Sequence, residues 1–291
     1  MSIVGVTREL LVRYLDTWTP GALHAGRRVT FAVAGSTAVA EAALRVFAEF
    51  ADRLRGRRLA MVVVAPDTAA LTGRLDSVQA ELGTPPELSV HLVDGDGDAL
   101  LPAALSAVGA AGAPLFGYLE SAATGPLEVV AAGRPAEVLV VSAAGGWADR
   151  RAALRAAGFT LTAGVELVDG DEVRLLAFGT SSAKSLEAYK NALWAVDEYA
   201  GVRYRDPGDP EGHLLDISLN PHPGPLRREL LAYLSAQGPA TVTDLRHFTM
   251  TETVYRAQDA ARVLPVLLSA GQVTRSPERG RLSGEVVITL A

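Results

Sequence analysis

Apolar and polar positions follow two rhythms along this chain, and the rhythms trade places at regular intervals. Leu10, Leu11, Tyr14, Leu15 and Trp18 recur at three- and four-residue spacing. They predict a helix over Val6–Trp18 that Pro20 and Gly21 end. Short β-branched runs then predict strands at Val29–Ala34, Leu59–Ala65, Leu88–Val93, Leu115–Leu119 and Val138–Ser142. Between them, helical spacing falls near Ala38–Leu54, Thr68–Leu82, Ala99–Ala111, Pro126–Ala132 and Trp147–Ala157. Met61-Val62-Val63-Val64 and Val138-Leu139-Val140-Val141 are apolar without a break, as strands covered on both faces require. Strict strand–helix alternation predicts an α/β fold, with a parallel sheet, helices on both faces and right-handed crossovers.

The pattern changes after Gly158-Phe159. Thr160–Leu167 and Glu172–Phe178 flank Asp169-Gly170-Asp171 and predict a β-hairpin, with a helix following at Ala183–Tyr199. Residues 206–225 are dense in Pro, Gly and Asp. They are expected to link a first domain, 1–205, to a second, 226–291, with the middle at Leu214–Leu219 open to packing on either. The second unit reads as helices at Leu226–Ala236, Val242–His247 (capped by Thr241 or Thr243) and Thr253–Ala270, then strands at Gln272–Arg275 and Glu285–Leu290. Three helices followed by a hairpin is the order of a winged helix.

Composition narrows the function classes. The 291 residues are 49% hydrophobic and 21% charged, which is a globular balance. No apolar run reaches membrane-spanning length, and Arg8, Glu9 and Arg13 interrupt the first apolar stretch, so neither a membrane span nor a signal peptide is expected. A net charge of −6 argues against a chain coated in nucleic acid. The absence of cysteine excludes disulfides, thiolate nucleophiles and cysteine-ligated zinc, and a cytoplasmic protein is expected. The five histidines share no ligand spacing on one helix face, so no metal site is expected.

Candidate chemistry gathers at strand ends. Arg28–Glu41 reads as a first strand, a tight turn at Ala34-Gly35-Ser36 and a helix from about Thr37. Gly35, Ser36 and Thr37 thus suit an anion or cofactor turn at a helix N-terminus, or an ordinary turn capped by Ser36 or Thr37. Glu120 and Ser121 follow the fourth strand, in the crevice where doubly wound folds bind ligands. There Glu120 is a candidate base for an amine proton, or a hydrogen-bond acceptor that orients the amine. Asp94, Asp96 and Asp98 lack the downstream glutamate of a calcium loop and read as a helix cap with solvated acids. Trp147, after the fifth strand, suits either a pocket wall or a helix-start core aromatic. Arg246, Arg256 and Arg279 are candidate phosphate contacts in a second unit that holds eight arginines against six acids.

Five parallel units closed by a hairpin resemble the class I methyltransferase sheet, a Rossmann-type fold. The run Arg8-Glu9-Leu10-Leu11-Val12-Arg13-Tyr14-Leu15-Asp16-Thr17-Trp18, the segment Lys190-Asn191-Ala192-Leu193-Trp194-Ala195-Val196-Asp197 and Thr251-Glu252-Thr253-Val254-Tyr255-Arg256 together resemble the three-Cys-motif partner family. That resemblance covers nearly the whole chain. It implies a methyltransferase-like domain with a C-terminal winged helix, S-adenosylmethionine as cofactor, and a separate cysteine-containing partner protein. The chain departs from the family at the cofactor positions. The first turn is Ala32-Val33-Ala34-Gly35-Ser36, with one glycine and no acid. Ala65 and Pro66 stand where an acid grips the ribose, with Asp67 one step late. Glu120-Ser121-Ala122-Ala123 replaces an Asp-Pro-Phe-Gly-like stretch. Asp96 is among the acids available to an adenine-like subsite.

Three readings follow. The first is a repurposed enzyme with a degraded cofactor site. It acts on a small amine-bearing or anionic substrate by nucleophilic displacement, such as an intramolecular cyclisation in a biosynthetic pathway, together with a protein partner. The second is a working methyltransferase acting on nucleic acid or a small molecule. The third is a non-enzymatic protein that binds nucleic acid or a partner through the winged helix.

Overall fold

The computed structural model describes residues 2–121, 124–196 and 201–291. Helix α1 (Ile3–Ala25) opens the chain, followed by β1 (Arg28–Ala34), α2 (Ala40–Ala48), β2 (Arg58–Ala65), α3 (Ala69–Leu82), β3 (Leu88–Asp94) and α4 (Gly97–Ala107). Then come β4 (Leu115–Glu120), α5 (Gly125–Ala131), β5 (Ala136–Ala143), α6 (Trp147–Ala156), β6 (Leu161–Asp169), β7 (Glu172–Thr180) and α7 (Ala183–Trp194). The helix expected over Ala183–Tyr199 ends at Trp194, with Ala195 as its C-cap, and the expected positions 197–199 lie outside the described residues.

Strand order across the sheet begins β3-β2-β1-β4-β5-β7-β6. β1 to β5 are mutually parallel and β7 is antiparallel to both of its neighbours. The order reverses between β1 and β4 and ends in an antiparallel hairpin, as expected from the sequence for a class I methyltransferase-like sheet. Alternation along each strand divides the core in two. Phe31 and Val33 of β1, with Met61 and Val63 of β2, face α1, α2 and α3. Ala32, Ala34, Val62 and Val64 face the other way, onto α4.

One expectation changes and one open alternative closes. Helix α1 does not stop at Pro20 but runs through it to Ala25. Pro20 removes only the hydrogen bond to the Asp16 carbonyl, and Asp16 is exposed, so that carbonyl is on the solvent side of the helix. Ala22 and Leu23 meanwhile extend the buried face by another turn. Within the segment expected as a linker, the middle, left open to packing on either unit, joins the sheet. β8 (Arg203–Arg205) pairs with β6, and β9 (Leu214–Asp216) pairs with β8, so 214–216 packs on the first unit's sheet. Asp206 is buried and its Oδ2 accepts a hydrogen bond from the Val254 amide at 2.7 Å.

The last third of the chain forms α8 (Gly224–Gln237), β10 (Ala240–Thr241), α9 (Val242–Glu252), α10 (Ala257–Ser269), β11 (Val273–Ser276) and β12 (Val287–Leu290). β12 lies between β10 and β11, antiparallel to both. α9 starts where expected, where Thr241 and Asp244 form a full capping box, and runs past His247 to Glu252. Its end is held from the first unit: Lys190 Nζ donates to the carbonyls of Thr249, Thr253 and Tyr255, at 3.2, 2.6 and 2.8 Å. Trp194 donates to the Val254 carbonyl beside them. Among the described residues, no helix is long and apolar enough to cross a membrane.

Candidate functional site

The crevice forms where β1 and β4 diverge toward α2 and α5. β1 ends at Ala34, level with Leu119, so Gly35 comes to rest beside Glu120. Gly35 has φ +84°, and its N–H continues the ladder to the Val64 carbonyl at 2.9 Å. A Cβ on Gly35 would stand 2.4 Å from the Glu120 carbonyl oxygen, so only glycine allows this approach. Ser36 Oγ accepts the Ala38 amide at 3.2 Å and tightens the turn. The helix begins later than its sequence suggested, at Ala40, and neither Ser36 nor Thr37 caps it. Thr37 lies outside the cleft lining.

Tyr118 and Glu120 share one face of β4, two residues apart. The buried Tyr118 hydroxyl donates to Glu120 Oε1 at 2.8 Å. Burial, then the Glu120 charge, push this phenol well above its ordinary pKa, so it remains a donor throughout the usual pH range. Ser121 turns its hydroxyl to Asp98 Oδ2 at 2.8 Å, and its carbonyl accepts from Arg150 at 3.2 Å. Burial lowers the Arg150 pKa and Asp98 opposes that shift.

Gly35, Ser36, Tyr118, Glu120 and Ser121 line one cleft of about 320 Å³. Ile3, Val4 and Thr7 from the first turns of α1 form its apolar wall. Arg174 and Glu172 reach it from the start of β7, where Arg174 is level with Ala143 at the end of β5. The floor thus carries two carboxylates and one guanidinium around a glycine turn.

The other expected residues go elsewhere. Asp67 is exposed beyond β2, with φ +58°. Asp96 caps α4, accepting the Ala99 amide at 2.9 Å, and Asp94 Oδ1 accepts the Thr68 amide at 3.0 Å. Trp147 lies flat on Gly164 of β6, where a Cβ would come within 2.8 Å of its ring, so it packs on the sheet face and not on the cleft. Arg256 is not available to phosphate. It is buried, with Nε 2.9 Å from Asp259 Oδ2 and a second guanidinium nitrogen 3.0 Å from Oδ1, and it also donates to the Leu219 carbonyl. Arg246 and Arg279 are exposed. No cluster of three metal-ligating side chains occurs among the described residues.

Sequence reasoning missed Tyr118, Glu172, Arg174 and the α1 wall. Tyr118 was within reach, because a residue two before Glu120 must share its face. Arg174 required the hairpin register, which returns the start of β7 to the carboxyl edge of β5.

No family model and no curated protein matches the chain. Among solved structures, it is similar to the METTL16 MTase domain (crystal form 2), with a TM-score of 0.35 and 14% identity over 57% of this chain and 66% of that one. It is also similar to a predicted O-methyltransferase, protein Atu636 from Agrobacterium tumefaciens, with a TM-score of 0.31 and 18% identity over 59% of this chain and 81% of that one. The chain thus spans just under two thirds of the METTL16 chain.

Proposed function

We propose that the cleft beside Gly35 is the active site of a methyltransferase-like enzyme that no longer uses S-adenosylmethionine and takes a small substrate carrying both an amine and an anionic group. One observation carries this reading: Glu120 and Arg174 line the same cleft, next to a glycine turn and under an apolar wall. A carboxylate suits the amine, and a guanidinium suits a carboxylate or phosphate on the same molecule.

The residues at the cofactor positions do not fit S-adenosylmethionine. β2 ends in Ala65-Pro66, with no acid for a ribose and with Asp67 exposed beyond it. Asp94, Asp96 and Asp98 are engaged by Thr68, Ala99 and Ser121. Gly97 lies so close to the turn that a Cβ there would stand 2.6 Å from the Gly35 nitrogen. No step is therefore routed through that cofactor.

In the reaction we infer, a substrate amine attacks a carbon within the same folded molecule. A nitrogen–carbon bond forms, the bond to the leaving group breaks, its electron pair departs with that group, and the amine proton passes to Glu120. Tyr118 fixes the Glu120 carboxylate through Oε1. Holding the chain folded supplies proximity, the main contribution such a closure needs. The resemblance to the three-Cys-motif partner family supports a second protein acting with this one, and co-purification with the products of neighbouring genes tests it.

Thermal-shift titration with small amines that bear a carboxylate or phosphate tests the site. We expect one class of compound to raise Tm in the wild type and to lose that effect in both Glu120→Gln and Arg174→Gln. A shift that survives both substitutions overturns the assignment. Calorimetric titration with S-adenosylmethionine is expected to give no heat at millimolar ligand, and micromolar binding would restore the methyltransferase reading.

A further inference from the structure

The opposite edge of the sheet, where the parallel strands begin, carries a concentration of positive charge that the proposed reaction does not use. Arg27, Arg28, Arg53, Arg55, Arg57 and Arg58 come from two stretches of sequence that parallel pairing brings together. Arg28 and Arg58 are register partners at the first positions of β1 and β2, and the Arg58 amide donates to the Arg27 carbonyl at 2.7 Å. Like charges on neighbouring strands repel, so their retention side by side calls for a counter-charge.

That counter-charge is not internal. The side chains of Arg27, Arg28, Arg55 and Arg58 are exposed and have no ion pair or hydrogen bond among the described residues. Arg57 and Arg53 differ. Arg57 holds the end of α1 through the carbonyls of Leu23 and Gly26, and Arg53 lies over the Phe50 ring at 5.5 Å. Two adjoining clefts of about 600 and 460 Å³ share Arg28 and Arg58, and Glu87 is the one acid lining either. Ser89 and His91 of β3, hydrogen-bonded at 3.0 Å, supply further polar groups along the larger cleft.

We propose that this amino edge is a binding groove for the phosphate backbone of single-stranded nucleic acid. Three unpaired guanidiniums, those of Arg27, Arg28 and Arg58, line the two joined clefts, and Arg55 adds a fourth on the adjoining loop; together they exceed what one phosphate needs and match a repeating polyanion. The acid balance of the whole chain does not prevent this, because a local field of one sign governs the approach of a charged ligand. The groove and the Glu120 cleft lie at opposite ends of β1, roughly 20 Å apart for a seven-residue strand.

The test is fluorescence anisotropy with a labelled 20-nucleotide single strand. We expect binding at 50 mM salt that weakens steeply as salt rises. The triple variant Arg27→Glu/Arg28→Glu/Arg58→Glu should bind at least tenfold more weakly, with the slope of log K against log salt shallower by about 2, since each single-strand phosphate contact contributes roughly 0.7. Unchanged Tm in the triple variant shows that it folds, as exposure of all three side chains leads us to expect. Absence of binding at 50 mM salt overturns the proposal. So does wild-type affinity in the triple variant, or loss of binding in Arg246→Glu/Arg279→Glu, which would move the contact to the winged helix. Displacement of the strand by millimolar inorganic phosphate alone would also overturn it, in favour of a single-phosphate site.

Discussion

At Gly35 the backbone takes φ +84° and a side chain would meet the Glu120 carbonyl, so two separate costs fall on one position. Gly35→Ala would force either the left-handed conformation on a residue with a Cβ or a shift of the β4 end. We expect it to lower unfolding free energy by about 2 kcal/mol, read as a lower urea midpoint at unchanged m-value. Because the shift moves Glu120, ligand-induced stabilisation should fall with it, more than the loss of stability alone accounts for. Arg256 shows the same scale from the other side. As an arginine in a winged helix it suggested phosphate contact, yet its guanidinium closes on Asp259 inside the fold. Residue type was legible at both positions; what each side chain touches was set by chain that is distant in sequence or by a capping geometry.

Among the elements, the five parallel strands were readable because their apolar runs are continuous and each is followed by a helix-length stretch. Elements defined by partners rather than by pattern were not. β8 and β9 are three residues each and exist because β6 offers an unpaired edge. The arginine groove was hidden for the same reason: Arg27-Arg28 and Arg53–Arg58 each look like an ordinary solvated charge run until β1 and β2 are laid in register. Helix α1 carries a buried polar contact that no periodicity announces. Its Tyr14 hydroxyl donates to Glu137 Oε2 at the start of β5, where both residues are buried. Burial raises the Glu137 pKa, while the Ser185 and Tyr14 hydrogen bonds hold it down. Tyr14→Phe keeps the ring contacts with Phe116 and Phe178 but removes that donor. A cost of about 1–3 kcal/mol is expected in urea unfolding. The double variant Tyr14→Phe/Glu137→Gln should lose less than the sum of the single losses, since the two groups act on each other.

At the scale of the whole molecule, the two units meet through charge placed where water is scarce. Lys190 is fully buried, its three protons directed at carbonyls at the end of α9, where the helix dipole favours a cation. Burial nevertheless draws its pKa down to about 7, against the attraction of Asp206, Glu229, Asp259 and Glu252. Glu229 on α8 is pushed up to about 7, first by burial and then by Asp206 and Asp209, with Lys190 and Arg228 opposing. Its Oε2 has no hydrogen-bond partner among the described residues. The two titrations act on stability with opposite signs. Between about pH 4.5 and 7 the folded state holds a proton on Glu229 that the unfolded chain has released, so this contribution is lost as pH rises. Between about pH 7 and 10.5 the unfolded chain holds a proton that folded Lys190 has released, so stability recovers as pH rises. The junction is therefore weakest near neutrality. Glu229→Gln removes the falling limb while keeping the shape of the side chain. Thermal unfolding should show the variant close to wild type at pH 5 and more stable at pH 8, by about 1–3 kcal/mol. A difference in Tm that is the same at both pH values would show that Glu229 does not change its charge across that interval.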